Sequence, residues 1–338
     1  MAPPRASLAS VPSASAAGRV SRSAPRTLLA RRHLVAVRAP TEPGPPPAPA
    51  RLGAFELLGE ISRGGMGAVF LARHRAARRR YALKVLDPQL AVHPDLVARM
   101  ADELTVSRRA RHPGLLHIES FERSADGVPY LVMELLDGET LASLQDRGRL
   151  ELGAVAAIGA QVASAVAALH AADVAHCDLK PDNLHVLYEE GVAGWPSTKV
   201  LDYGVARMLD AIVEDEPSIA GTPAYMAPEQ WRGQPCTGSD VYALGCVLYE
   251  LCVGEPPFAG TVPELMTAHI EALPMRAAVR RPSLPPIMDR LISRMLAKDA
   301  ALRPTMREVA RALTCFAEAY PSPVGHGEGP AWALLRAG

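Results

Sequence analysis

The string His176-Cys177-Asp178-Leu179-Lys180-Pro181-Asp182-Asn183 sets an aspartate, a lysine two residues on and an asparagine five residues on within one short stretch. A carboxylate there could orient an attacking hydroxyl, the lysine could meet a transferred anionic group, and the amide oxygen could hold a divalent metal. These are the requirements of phosphoryl transfer. A polar surface turn shaped by Pro181 and Asn183 is the bland alternative. Downstream, Lys199-Val200-Leu201-Asp202-Tyr203-Gly204 ends an apolar strand on a second carboxylate, suited to Mg2+ that bridges two phosphates. Taken alone, Asp-Tyr-Gly is an ordinary turn.

Two weaker signals lie upstream. Ser62-Arg63-Gly64-Gly65-Met66-Gly67-Ala68-Val69 falls between two predicted strands, where glycines let backbone amides approach phosphate oxygens. Most such turns are only tight hairpins, and a dinucleotide-binding reading fails because no helix follows Gly67 directly. Tyr81-Ala82-Leu83-Lys84-Val85 then sets a lysine in an apolar strand. A lone lysine there is more often an edge or snorkelling residue. It becomes interpretable if Glu103 on the following helix meets it, favoured over its neighbour Asp102, because such a pair holds the ammonium against the α- and β-phosphates.

The elements that must position these groups fall into two halves. The first reads as strands at 55–61, 68–73 and 81–86, a helix at 95–110, and strands at 118–122 and 130–135. After Gly138 the period turns helical, with long helices at 152–172, 239–253, 286–297 and 305–319. The expected class is α+β, a small sheet-rich lobe followed by a larger helical one. The stretch Leu152 to Ala172 has no charged residue and approaches the length of a membrane span. It is alanine-rich, with Ile158, Val162, Val166 and Leu169 on one face and Gln161, Ser164 and His170 interrupting it. A buried core helix is expected, and no transmembrane segment.

Composition narrows the class further. Hydrophobic residues at 49% suffice for a sizeable core, and 36 basic residues balance 36 acidic ones, without the basic excess of a nucleic-acid binder. Five cysteines in no Cys-x-x-Cys spacing argue against a disulfide framework or a zinc site, so a reducing cytoplasm fits. Residues 1–50 are rich in Pro, Ala and Ser and carry seven Arg against the single acid Glu42. That composition reads as a disordered basic tail, with an organelle transit peptide as the alternative. The folded part is expected over 51–320, divided near 136, with a short tail at 321–338.

In order and spacing these motifs resemble the protein kinases, and Gly-Gly-Met-Gly is typical of the bacterial serine/threonine branch; the resemblance runs from about Phe55 to Phe316. It implies a bilobal fold that transfers the γ-phosphoryl group of ATP, with Mg2+ or Mn2+, to protein hydroxyls. It further implies Asp178 as catalytic base, Lys180 on the γ-phosphate, Thr222 beside both, and Asn183 and Asp202 on the metal. ATP would lie among Ile61, Ser62, Gly64, Gly65, Met66, Gly67, Val69, Ala82, Lys84, Glu103, Met133, Glu134 and Leu135, the last two offering backbone groups to adenine. Glu229, in the string ending Ala227-Pro228-Glu229, would pair with Arg303, and Asp240 would anchor the catalytic loop. Lys180 with Thr222 implies serine and threonine as acceptors. Self-association for autophosphorylation would be compatible with this class. The rivals are a pseudokinase scaffold, which would lack one of Lys84, Asp178 or Asp202, and a small-molecule phosphotransferase, disfavoured by the intact Ala-Pro-Glu segment.

Four residues depart from the pattern. Ser62 replaces the first glycine of the phosphate loop. Cys177 stands where an arginine is usual, and so removes a cation that would hold a phosphorylated activation segment. Tyr203 replaces Phe, and Ser107 replaces an apolar residue one turn after Glu103; a direct polar contact between these two hydroxyls is expected.

Overall fold

The computed structural model describes residues 51–187, 195–203 and 221–320, and the backbone alone of Arg207–Met208. The expected tails at 1–50 and 321–338 lie outside the described residues. Strands β1 (Arg51–Leu52), β2 (Phe55–Gly64), β3 (Gly67–His74) and β4 (Arg80–Leu86) precede helix α1 (Pro94–Arg109), and β5 (Ile118–Arg123) and β6 (Pro129–Met133) follow it. The six strands form one antiparallel sheet in the order β1-β2-β3-β4-β6-β5.

Strand alternation decides where Lys84 points. Tyr81 and Leu83 of β4 join Phe55, Ala72, Tyr130 and Val132 in a small core on one face of the sheet. Ala82 and Leu86 belong to the larger core on the other face, so Lys84, between them in period two, faces that side too. Gly67 starts β3 at φ +151°, and a Cβ there would lie 2.0 Å from the Val85 carbonyl oxygen, so only glycine lets the hairpin close on β4.

The second lobe contains β7 (Gly138–Thr140), α2 (Leu141–Asp146), α3 (Leu152–His170), β8 (Val174–Ala175), β9 (Leu184–Leu187), β10 (Thr198–Val200), β11 (Arg207–Met208), α4 (Pro228–Trp231), α5 (Thr237–Val253), α6 (Val262–Glu271), α7 (Ala277–Arg280), α8 (Pro286–Met295) and α9 (Met306–Ala319). Helix α3 is the apolar stretch singled out above. It is long and apolar enough to span a membrane, and 72% of its most apolar window is buried inside the protein. Its small residues explain why. A Cβ on Gly159 would meet Leu248 of α5 at 2.8 Å and Leu313 of α9 at 2.9 Å, so α3 is the axis on which both partners close. Helix α9 starts on a capping box, with Thr305 Oγ1 accepting from the Glu308 amide and the Glu308 carboxylate accepting from the Thr305 amide at 2.8 Å.

The helices and strands expected from periodicity are present within a few residues. The expected strand ending at Leu135 stops at Met133, because the chain leaves the sheet to cross to the second lobe. Strands β7, β8, β9 and β11, of two to four residues each, are too short to carry an alternation signal, whereas β10 is the apolar strand expected to lead to Asp202.

Candidate active site

The site grows from the loop between β8 and β9. Asp240, at the start of α5 and fully buried, accepts the His176 amide at 2.9 Å and the Cys177 amide at 2.8 Å, and His170 Nε2 donates to it at 2.7 Å. Burial alone would raise its carboxyl; the His170 bond and charge, with His176 and the Cys177 amide, outweigh that and hold it below the ordinary aspartate value. Cys177 is forced to φ +65°, a strained backbone for a residue with a Cβ. The turn delivers Asp178 into a hydrogen-bonded cluster. Lys180 Nζ donates to Asp178 Oδ2 at 2.7 Å and to Thr222 Oγ1 at 2.8 Å, while Thr222 Oγ1 donates to Asp178 Oδ1 at 2.8 Å. Asn183 Nδ2 donates to the Asp178 backbone and side chain at 2.9 and 3.2 Å, which turns its amide oxygen away from that carboxylate.

Across the cleft, Lys84 Nζ donates to Glu103 Oε1 of α1 at 2.7 Å and to Asp202 Oδ1 at 3.0 Å. Burial pulls the lysine's pKa down, but the Asp202 and Glu103 charges more than reverse this and keep it cationic. Glu103 is pushed up by burial and by Asp202, against the pull of Lys84. Asp202 has φ +59°, a second strained non-glycine backbone at the site.

A cleft lies between the lobes' two groups, reaching Lys84, Glu103 and Asp202 on one side and Asn183 on the other. Of the residues expected around ATP, Ile61, Ser62, Val69, Ala82, Lys84, Glu103, Met133, Glu134 and Leu135 line it, together with Asn183 and Asp202. Gly64, Gly65, Met66 and Gly67 are not among its walls; they form the β2–β3 tip, with Met66 half exposed. Glu134 offers less than expected, since its amide is already donated to the His117 carbonyl at 3.1 Å, so its carbonyl is the backbone group left for a ligand. Its side chain is held by Lys199 Nζ at 2.7 Å. Leu116, Leu136, Thr140, Asp182, His185 and Leu201 also line the cleft and were missed. Leu136 could have been read from its place after Glu134 and Leu135. His185 could have been read from the two-residue step after Asn183, which puts both on one face. Burial pushes the His185 imidazole down to about 4.

The protein kinase domain family matches residues 55–313. The chain belongs to the protein kinase family. Serine/threonine-protein kinase Pkn1 of Myxococcus xanthus is 38% identical over 253 residues, covering 73% of this chain and 36% of that protein. Serine/threonine-protein kinase PkaA of Streptomyces coelicolor is 37% identical over 284 residues, covering 79% and 51%. Serine/threonine-protein kinase PknE of Mycobacterium tuberculosis is 34% identical over 252 residues, covering 74% and 43%. This chain thus spans about a third to a half of the length of the curated relatives it matches.

The kinase fold is braced where the motifs implied. Glu229 and Arg303 make a two-pronged pair at 2.6 and 2.9 Å, with Arg303 fully enclosed. One expectation needs correcting. The Ser107 and Tyr203 hydroxyls do not bond to each other; each donates to the Leu116 carbonyl, at 3.3 and 3.2 Å, and Ser107 Oγ also accepts the Ile118 amide at 3.0 Å. The reason is local. Leu116 lies on the chain between α1 and β5, whose first residue is Ile118, and that backbone offers the nearer acceptor. The acidic run Glu214-Asp215-Glu216 and Ser218 lie outside the described residues.

Proposed function

We propose that this domain transfers the γ-phosphoryl group of Mg-ATP to serine and threonine hydroxyls of protein substrates. The observation that carries the reading is the Asp178–Lys180–Thr222 cluster, whose partner Asn183 lines the same cleft as the Lys84–Glu103–Asp202 cluster. An O–H at 2.8 Å from Asp178 Oδ1 is what an acceptor serine would supply, and Thr222 supplies one in the resting site. Asp178 would orient the acceptor hydroxyl and take its proton, while Lys180 would meet the negative charge of the group in transit. Ile61, Val69, Ala82, Met133 and Leu201 would enclose the base, and Lys84 would hold the α- and β-phosphates.

Asn183 and Asp202 suit Mg2+ or Mn2+: both line the cleft and present oxygen donors, and a pair of protein oxygens plus phosphates and water is the usual way such an ion is held. When bound, the ion would draw off charge from the phosphate oxygens. A scaffold without chemistry would be expected to lack at least one of Lys84, Asp178 and Asp202, and here all three keep their partners. The test is transfer of labelled γ-phosphate from ATP to a generic protein substrate, with and without Mg2+. Metal-dependent labelling of serine and threonine is expected, and nucleotide binding without any transfer would overturn the reading.

A further inference from the structure

The peptide that leads into Asp178 is held at both of its polar ends. Its N–H, on Asp178, donates to His176 Nδ1 at 3.3 Å, and the same ring donates from Nε2 to the Leu201 carbonyl at 3.0 Å. Its carbonyl, on Cys177, accepts from Gln230 Nε2 at 2.8 Å. Cys177 has φ +65°, a backbone that persists only where its surroundings fix it. Asp240 fixes the Cys177 amide and Gln230 fixes its carbonyl, so the two grips lie on either side of the strained residue.

Gln230 comes from outside the catalytic loop. It lies in α4 and is buried, and its Oε1 accepts the Ala227 amide at 3.1 Å while its Nε2 reaches the loop. Its neighbour Glu229 is the residue that Arg303 holds. Two consecutive side chains thus tie this segment down, one to Arg303 and one to the loop that carries Asp178. A third stretch of chain closes on the same bond. A Cβ on Gly221 would come within 3.1 Å of the Cys177 carbonyl oxygen and 3.3 Å of Gln230 Nε2, so the chain just before Thr222 packs directly against it. An amide suits the place: its oxygen can take the Ala227 N–H and its nitrogen can serve the Cys177 carbonyl, which an apolar side chain would leave buried without this donor.

We propose that Gln230 is a positioning residue for phosphoryl transfer: its amide fixes the Cys177–Asp178 peptide and so couples the segment Ala227-Pro228-Glu229 to the orientation of the Asp178 carboxylate. The proposal rests on the reading of Asp178 as the base. Gln230 is not among the walls of the nucleotide cleft, so its loss should act on turnover and leave ATP binding as it is.

The experiment measures kcat and KM for Mg-ATP from about pH 6 to about pH 8 for wild type, Gln230→Glu and Gln230→Met, with thermal unfolding of each. In Gln230→Glu the new carboxylate still accepts the Ala227 amide, but when ionised it sets a second acceptor against the Cys177 carbonyl. Once protonated, its O–H can donate to that carbonyl and restore the bond, and burial raises its pKa toward the assay range. At about pH 8 its kcat should be about tenfold or more below wild type with KM for ATP nearly unchanged, and the deficit should shrink as pH falls. Reading each rate as a ratio to wild type removes the titration of Asp178, His176 and Asp240, which the proteins share. Gln230→Met, similar in length but unable to donate, should show the deficit at every pH. Wild-type turnover by folded Gln230→Glu at about pH 8 would overturn the proposal, as would a deficit confined to KM or one that does not shrink in acid. If Gln230→Glu does not fold, the kcat of Gln230→Met decides in its place. If wild type itself transfers no phosphate, it is the proposed function that fails, and this proposal falls with it.

Discussion

The catalytic loop and the Lys84 cluster both hold buried charge, but they are secured differently. The loop is tied within one lobe: Asp240 grips two successive backbone amides, and Asp178 is fixed by side chains from its own turn and by Thr222. The Lys84 cluster joins β4, α1 and the chain just beyond β10, three elements drawn from both lobes. The first arrangement survives movement of one lobe against the other. The second exists only while α1 and Asp202 are both in place. The contrast assigns chemistry to the loop and readiness to the cluster.

Kinetics should separate the two most strongly. Asp178→Asn is expected to lower kcat by about 10²–10⁴-fold with little change in KM for ATP, since what is lost acts on the hydroxyl in the transition state. Lys84→Met should lose comparable activity but raise KM for ATP as well, because its ammonium would hold the ground-state phosphates. Steady-state rates against ATP concentration check both. Identical kinetic signatures for the two variants would dissolve the distinction.

Stability should divide them in the opposite sense. Asp240→Asn removes the charge that His170 and two amides require, and about 3–5 kcal/mol of destabilisation is expected from breaking a buried pair of this kind. Glu103→Gln should cost less, because Asp202 still neutralises Lys84. The pH dependence follows from the lowered carboxyl of Asp240. Its stabilising contribution is complete above the ordinary aspartate value of 3.8 and is lost as pH falls through the lower folded value. Urea unfolding of wild type and Asp240→Asn at pH 7 and near pH 3 should show the gap narrowing in acid.

The catalytic loop was readable from sequence because its chemistry sits within eight consecutive residues, His176 to Asn183. Lys84 and Glu103 were readable as a pair only conditionally, since a lysine in an apolar strand calls for a carboxylate but nothing local shows that it will meet one on a helix 19 residues on. His185 offered one signal, its two-residue step after Asn183, and Leu116 offered none. Leu116 acts through its carbonyl, which no side-chain pattern reports. The long helices were legible because each repeats its apolar face over several turns. The short strands that frame the loop were not, because two residues in β8 and four in β9 are too few to show a period.

A smaller effect tests the shared carbonyl. Tyr203→Phe and Ser107→Ala each remove a bond to Leu116, at about 1 kcal/mol per bond, and Ser107→Ala also leaves the buried Ile118 amide without its partner. Because both hydroxyls meet one acceptor, which keeps a partner in either single variant and loses both in the double, the double variant should cost measurably more than the sum of the single ones. Strict additivity in unfolding free energies would show that Leu116 does not couple α1 to the segment that carries Asp202.

The smallest expected effect concerns the phosphorylation state of the activation segment. In kinases with arginine at the position of Cys177, that cation orders a phosphorylated segment through a charge-assisted contact. Cys177 has neither charge nor fork, and it is committed elsewhere: buried, with its amide on Asp240, its thiol toward the Ala175 carbonyl at 3.6 Å and its own carbonyl accepting Gln230 Nε2 at 2.8 Å. The loop is therefore held from beneath by Asp240 and Gln230. A phosphate on Ser218 would also join the acidic run 214–216 and be repelled by it. Phosphatase treatment, or Ser218→Ala, should change the initial rate by less than tenfold, about 1.4 kcal/mol in barrier height. A larger fall would mean that another cation, such as Arg207, takes the missing role, and would place control of the loop in the segment rather than in the second lobe. Thr222 is unsuited to this test. Its hydroxyl bonds both Asp178 and Lys180, so its removal would lower turnover whatever the phosphorylation state.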